Sequence, residues 1–191
     1  GYDNLIKIVS YGFKDGFYYK PRVDIELLEK YHEGIIALSA CLAGPVARTI
    51  IRQSYDKGKE VALRYNNIFG ENNFFLELQD HMDGSVDQQT VNQSLMRMHQ
   101  ETGIPLVATN DCHYISPEDA EAHDILLCIQ TNTTVDEADR MRYEGGQYYV
   151  KSPEEMYSLF PYAHQACENT YKIAQRCNVA VSYTHLRAHE T

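Results

Sequence analysis

Three short apolar stretches of this sequence close on side chains that hold cations. Residues 34–40 are followed by Cys41, residues 74–79 by Asp80 and His81, and residues 105–109 by Asn110, Asp111, Cys112 and His113. Thiolate, carboxylate and imidazole are the ligands of zinc and related transition ions. Asp111 and His113 stand two residues apart. If extended backbone persists through them, both side chains share a face and offer an oxygen and a nitrogen to one cation. A D-x-H pair arises easily by chance, so three stretches ending alike weigh more than the pair itself. The competing account makes Asp111 the cap of the next turn and His113 a surface residue. Cys41 also has a plain alternative, because a free cysteine is most often a small buried hydrophobe. His81 sits where a loop tip is expected, and loop-tip histidines are usually solvated. His123 falls mid-helix, where a hydrogen-bonded role is expected, and His32, His99 and His164 read as surface or loop residues.

For such residues to meet, the three stretches must be strands running the same way. The pattern between them agrees. Leu5, Ile6, Ile8 and Val9 lie close to a helical stripe over residues 1–11, and residues 12–21 read as a loop with Asp15-Gly16 as its turn. Residues 23–31 form a short amphipathic helix with Asp24 as cap. Residues 34–40 read as a buried strand, 44–53 and 56–69 as helices, and 74–79 as a second strand. A helix over 88–102 ends at Gly103, and 105–109 is the third strand. Ser116-Pro117-Glu118-Asp119 opens a helix running to about residue 129, with Ser as cap, Pro at the first position and acids in the first turn. Ser152-Pro153-Glu154-Glu155 is a capping box opening a helix to residue 160, and a last helix spans 164–177. Strands alternating with helices predict parallel pairing and an α/β fold, in which function sits at the carboxyl ends of strands.

Bulk properties narrow the classes. The 191 residues suit one domain. Seventeen basic against twenty-seven acidic side chains give a net charge of −10, which argues against a main nucleic-acid groove in this stretch. The pairs Tyr18-Tyr19 and Tyr148-Tyr149 would suit base stacking, but on an acidic chain a core or interface role is expected. No apolar run approaches the ~20 residues of a membrane helix. The five cysteines form no C-x-x-C pair, so a reducing cytoplasm is expected rather than a disulfide framework. The chain opens on Gly-Tyr-Asp-Asn, without a basic leader or an initiator Met, so its first residue is not expected to be the natural start. Nucleophile–histidine–aspartate catalysis, a P-loop and a dinucleotide fingerprint have no support.

Several runs taken together resemble a known family. Residues 4–10 (NLIKIVS), 16–24 (GFYYKPRVD), 38–44 (LSACLAG), 76–81 (LELQDH), 107–111 (VATND) with His113-Tyr114, 119–124 (DAEAHD), 152–156 (SPEEM) and 176–179 (RCNV) are similar, in order, to the bacterial DNA polymerase III alpha subunit. The resemblance covers about residues 1–180 and falls in its PHP (polymerase and histidinol phosphatase) domain.

The resemblance implies an α/β fold of a particular kind: part of a PHP-type distorted (βα)7 barrel, truncated at both ends, over residues 1–181. It implies a cluster of up to three metal ions at one barrel mouth, with Cys41, Asp111 and His113 matching family ligands. The ion would be zinc or manganese, supporting phosphodiester hydrolysis in proofreading, or a structural role where ligands are lost. His81 matches a common family residue without a ligand assignment. The family's earlier ligands, including an H-x-H, and its polymerase aspartates have no counterpart here, so no catalytic residue is assigned and the chain alone is expected to be inactive. The parent implied is a DNA-directed DNA polymerase using magnesium in the cytoplasm. Its partners would be DNA and replisome subunits, among them a proofreading exonuclease and the sliding clamp, with no membrane. A stand-alone PHP phosphoesterase is the alternative. Residues 182–191 depart from the family pattern and are expected to be a non-native tail, in which His185 and His189 would only mimic a helical metal pair.

Overall fold

The computed structural model describes residues 1–180. The tail over 182–191, with His185 and His189, lies outside the described residues. The fold is α/β: three strands and eight α-helices among the described residues, in the alternating order read from the sequence. The chain divides into two compact units. Among the described residues, one comprises residues 1–35 together with 171–180, and the other is Ile36–Thr170.

The first unit is built on α1 (Tyr2–Lys14) and α2 (Ile25–Tyr31). Asp24 caps α2, its carboxylate accepting from Leu27 N–H at 2.9 Å. The α1–α2 contact includes stacked Tyr11 and Tyr31 rings, 5.7 Å apart, and an Asn4 amide donating to the Glu33 carbonyl at 3.0 Å. Helix α1 runs three residues into the stretch expected to be a loop. Gly12 is buried on it, and a Cβ there would stand 3.2 Å from Val23 Cγ1. Gly12 therefore serves close packing inside the helix rather than a turn.

The second unit holds the sheet. β1 (Ala37–Leu38), β2 (Phe74–Leu78) and β3 (Leu106–Ala108) pair in that order, parallel throughout. Ala37 pairs with Phe74 and Leu76 with Leu106, which fixes the register. Every residue of β2 and β3 is buried, as expected of parallel strands covered on both faces. The strand expected over residues 34–40 is only two residues long and half exposed. Left-handed Gly34 and Ala40, with φ of 75° and 65°, break the extended backbone on either side.

Helices α4 (Tyr55–Phe69) and α5 (Val86–Thr102) pack against β2, with α3 (Pro45–Arg52) laid on both of them, followed by α6 (Ala120–Thr131), α7 (Pro153–Leu159) and α8 (His164–Arg176). Val46, Phe74, Leu76, Leu78, Val91, Leu95, Met98, Val107 and Phe160 form the almost fully enclosed core. Most helix starts follow the devices seen in the sequence. Ser54, Ser85 and Ser152 accept from the backbone N–H three residues on, and Ser152 with Glu155 completes the expected capping box. After Ser116, residues Pro117–Asp119 form a 3-10 turn before α6 begins.

Candidate metal centre

Because the three strands are parallel neighbours, whatever follows each strand lies along one edge of the sheet. Cys41 follows β1, Asp80 and His81 follow β2, and Asp111 and His113 follow β3. Each of these turns contains a non-glycine residue at positive φ: Ala40 at 65°, Met82 at 55° and Asp111 at 47°. Left-handed backbone costs an L-residue roughly 1–2 kcal/mol. Three such residues at one sheet edge mark it as a place where geometry overrides local preference.

Extended backbone does not carry Asp111 and His113 onto one face, as the two-residue spacing suggested. β3 ends at Ala108, and Asp111 is left-handed. The turn brings them together by another route. His113 Nδ1 lies 2.6 Å from the Asp111 carbonyl oxygen and 4.0 Å from its Oδ1. A carbonyl can only accept, so Nδ1 carries a proton, and in the neutral ring Nε2 is then the nitrogen with the lone pair. That is the tautomer of a ligating histidine whose other nitrogen is anchored by a backbone carbonyl. The Asp111 side chain is 41% exposed and that of His113 27%, so both remain accessible.

His113 stands in a cluster of rings that the sequence did not reveal. Its ring centroid is 4.3 Å from Tyr143, 5.5 Å from His123 and 5.7 Å from Tyr148. His81 is not a solvated loop tip: it is 7% exposed and stacks on Tyr148 at 4.1 Å. Burial pushes its pKa below the ordinary histidine value, against the Asn110 carbonyl that tends to raise it. Burial likewise raises the Tyr148 hydroxyl and lowers the Lys151 ammonium. His123 faces this cluster from α6, where the next residue, Asp124, forms a two-pronged pair with Arg140. The Arg140 side chain is only 6% exposed, and the pair ties the segment after α6 back to the helix.

Asn110 fixes the far wall. Its amide donates to the Gln147 and Tyr149 carbonyls at 2.8 and 2.7 Å, while His113 N–H donates to the Tyr148 carbonyl at 2.7 Å. Residues 147–149 are thereby laced along the end of β3. Asn110 Oδ1 is buried and accepts no hydrogen bond, alone in this among side-chain atoms of the described residues.

Cys41 is exposed, so packing as a small hydrophobe does not explain it. Asp111 and His113 supply an oxygen and a free imidazole nitrogen, which suits zinc or manganese. Among the described residues no three His, Cys, Asp or Glu side chains lie close enough to hold an ion, so Cys41 does not close a group with that pair. A cleft of about 540 Å³ lies elsewhere, along α5, lined by amides such as Gln89, Asn92 and Gln100 with Asp80, Arg97 and Tyr162. His99 and His164 are also accounted for locally. His99 Nδ1 is 2.7 Å from the Ile104 carbonyl, and the His164 ring packs edge-on to Tyr157.

Comparison with known proteins places the chain in a family. Residues 1–81 match the PHP domain. The chain is 44% identical over 93% of its length to the DNA polymerase III subunit alpha of Borreliella burgdorferi, and 42% identical over 95% to that of Treponema pallidum. It is 41% identical over 94% to the protein of the same name from Thermus aquaticus. In each case it spans about 15% of the relative's length. The similarity runs past the PHP match through β3, α6 and α8, and it has one reading: the chain belongs to the bacterial DNA polymerase III alpha subunit family, in its PHP region.

Proposed function

We propose that this chain carries one side of a divalent-metal centre in the PHP domain of a replicative DNA polymerase, with Cys41, Asp111 and His113 as its ligands. The observation that supports this most is the His113 contact with Asp111: Nδ1 lies 2.6 Å from the Asp111 carbonyl oxygen, which leaves Nε2 of the neutral ring as the nitrogen able to bind an ion. Zinc or manganese would suit the donor types, and when bound it would supply Lewis-acid stabilisation of charge on a phosphodiester. The protein's own contribution is orientation. Asn110 sets the wall over 147–149, and buried His81 against Tyr148 excludes water behind His113. The three parallel strands are read as an arc of a PHP-type distorted barrel, whose remaining strands and ligands come from outside the described residues.

In the whole protein the centre would serve 3′–5′ proofreading, while DNA synthesis would use magnesium at a site outside this chain. DNA, a proofreading exonuclease and the sliding clamp are the partners proposed, and the cytoplasm the compartment. Among the described residues no helix is long and apolar enough to cross a membrane. A docking role for the domain, with a purely structural centre, is favoured by one observation, the lack of a closed three-ligand group. A stand-alone phosphoesterase is disfavoured, because the similarity to the polymerase subunits extends over more than nine-tenths of the chain.

Calorimetric titration with zinc and manganese tests the proposal. The chain should bind weakly, a longer chain restoring the preceding family segment should bind far more tightly, and His113→Ala should weaken both about tenfold or more. Equal affinity for the longer chain with and without His113→Ala would overturn the assignment.

A further inference from the structure

The middle strand carries a carboxylate where its pattern calls for an apolar side chain. Glu77 lies in β2 between Leu76 and Leu78 and is only 9% exposed. Its Oε2 accepts from the Ala40 N–H at 3.0 Å, one residue before Cys41. Its Oε1 accepts from the Thr109 hydroxyl at 2.6 Å, two residues before Asp111, and from the Gln79 amide at 3.4 Å. Its own N–H donates to Ser39 Oγ at 2.8 Å. Among the described residues no basic side chain forms an ion pair with it. Burying a carboxylate on neutral donors alone is costly, and an apolar residue would fill the strand without that cost.

We propose that Glu77 is a positioning residue, whose buried carboxylate bridges the turn after β1 to the turn after β3 and so sets Cys41 and the Asp111–His113 pair in one register. Each oxygen serves a different turn. The Ala40 N–H that it holds belongs to a left-handed alanine, a conformation that needs outside support. A negative charge at the strand ends also suits a cation centre, in the manner of carboxylates that orient ligands from behind. This rests on the reading of Cys41, Asp111 and His113 as ligands, but the bridge itself can be tested without metal.

Amide hydrogen exchange, followed by NMR on the whole chain, reads the two turns separately. Thr109→Val keeps the shape of the side chain and removes its hydroxyl. If Glu77 bridges the turns, exchange of the Ala40 amide should quicken about tenfold in T109V, two strands away, while Leu76 and Val107 amides are unchanged. Glu77→Ala should quicken both Ala40 and His113 amides. Glu77→Gln, which keeps an acceptor and a donor, should restore most of the protection. With cobalt as the probe, E77A should lose the sulfur-to-metal charge-transfer band of Cys41, and E77Q should retain it. An unchanged Ala40 amide in T109V overturns the bridge, as does acceleration in E77A that is uniform across the core. No band in the unmodified chain or in its longer form would instead overturn the ligand reading of Cys41 and leave the exchange result standing.

Discussion

Asn110 shows what a single side chain does at this sheet edge. Its amide makes two hydrogen bonds to the carbonyls of residues 147 and 149, joining points thirty-seven and thirty-nine residues apart in sequence. Each is worth about 1 kcal/mol net, and a buried carbonyl left without a donor costs more. Asn110→Ala should therefore lower unfolding free energy by about 2 kcal/mol. Asn110→Asp should do worse, because a carboxylate has no hydrogen to donate and would face two carbonyl oxygens. Urea denaturation of the two variants checks this, and an Asp variant as stable as the parent would show that Asn110 is not the lace. Nothing in the sequence announced this residue, since its partners are long-range. Cys41, Asp111 and His113 stood out as candidates because each follows an apolar run, but it was the family resemblance that matched them to ligands. The ring cluster was not, because Tyr143, Tyr148 and His123 meet His113 only after the chain has folded. Likewise Glu77 reads as an ordinary polar position until its three donors are seen.

Among the elements, the helices were the most legible, because their ends are written in local chemistry: Ser before Pro, Asp as cap, Gly at the close. The strands were found, but their lengths were not, since left-handed residues such as Ala40 look unremarkable in sequence. The packing of α4 on α5 was equally hidden. There Lys59, Tyr55 and Arg97 converge on Glu101, at 2.7, 2.8 and 2.7 Å. These hydrogen bonds, that of Lys59 foremost, hold the Glu101 carboxyl at a pKa of about 2. Burial and the Glu101 hydrogen bond push the Tyr55 hydroxyl up to about 12. A carboxyl depressed on folding adds stability above its unfolded value of about 4.3, and that stability is lost as pH falls towards 2. The stability difference between the parent and Glu101→Gln should thus be full at pH 6 and shrink progressively over that acid range. Equilibrium unfolding at several pH values measures it. A difference that stays constant between about pH 5 and 2 would mean that the cluster does not hold Glu101 ionised.

For the whole molecule, composition and alternation were enough to give α/β with parallel strands. They did not show that the chain forms two units or that, among the described residues, no three His, Cys, Asp or Glu side chains come together. The reason is physical: a centre assembled from several strand ends is a long-range property, and the chain spans about 15% of its relatives' length. Charge is the whole-molecule property that the sequence gives outright. With a net charge of −10 the chain repels a phosphate backbone at long range, whatever the family's partners. A protein that holds DNA through six to ten phosphate contacts loses roughly 10³–10⁵ in affinity between 50 and 200 mM salt, as counterions are released. This chain should behave otherwise. Fluorescence anisotropy with a short single-stranded oligonucleotide should show weak binding at about 50 mM salt that does not weaken further at about 200 mM, because added salt screens repulsion as much as attraction. Manganese should strengthen it, and His113→Ala should remove that gain, because the ion at Asp111 and His113 is the proposed point of attraction for phosphate. Tight metal-free binding with a steep salt slope would reveal a basic groove and move the nucleic-acid contact away from the strand ends.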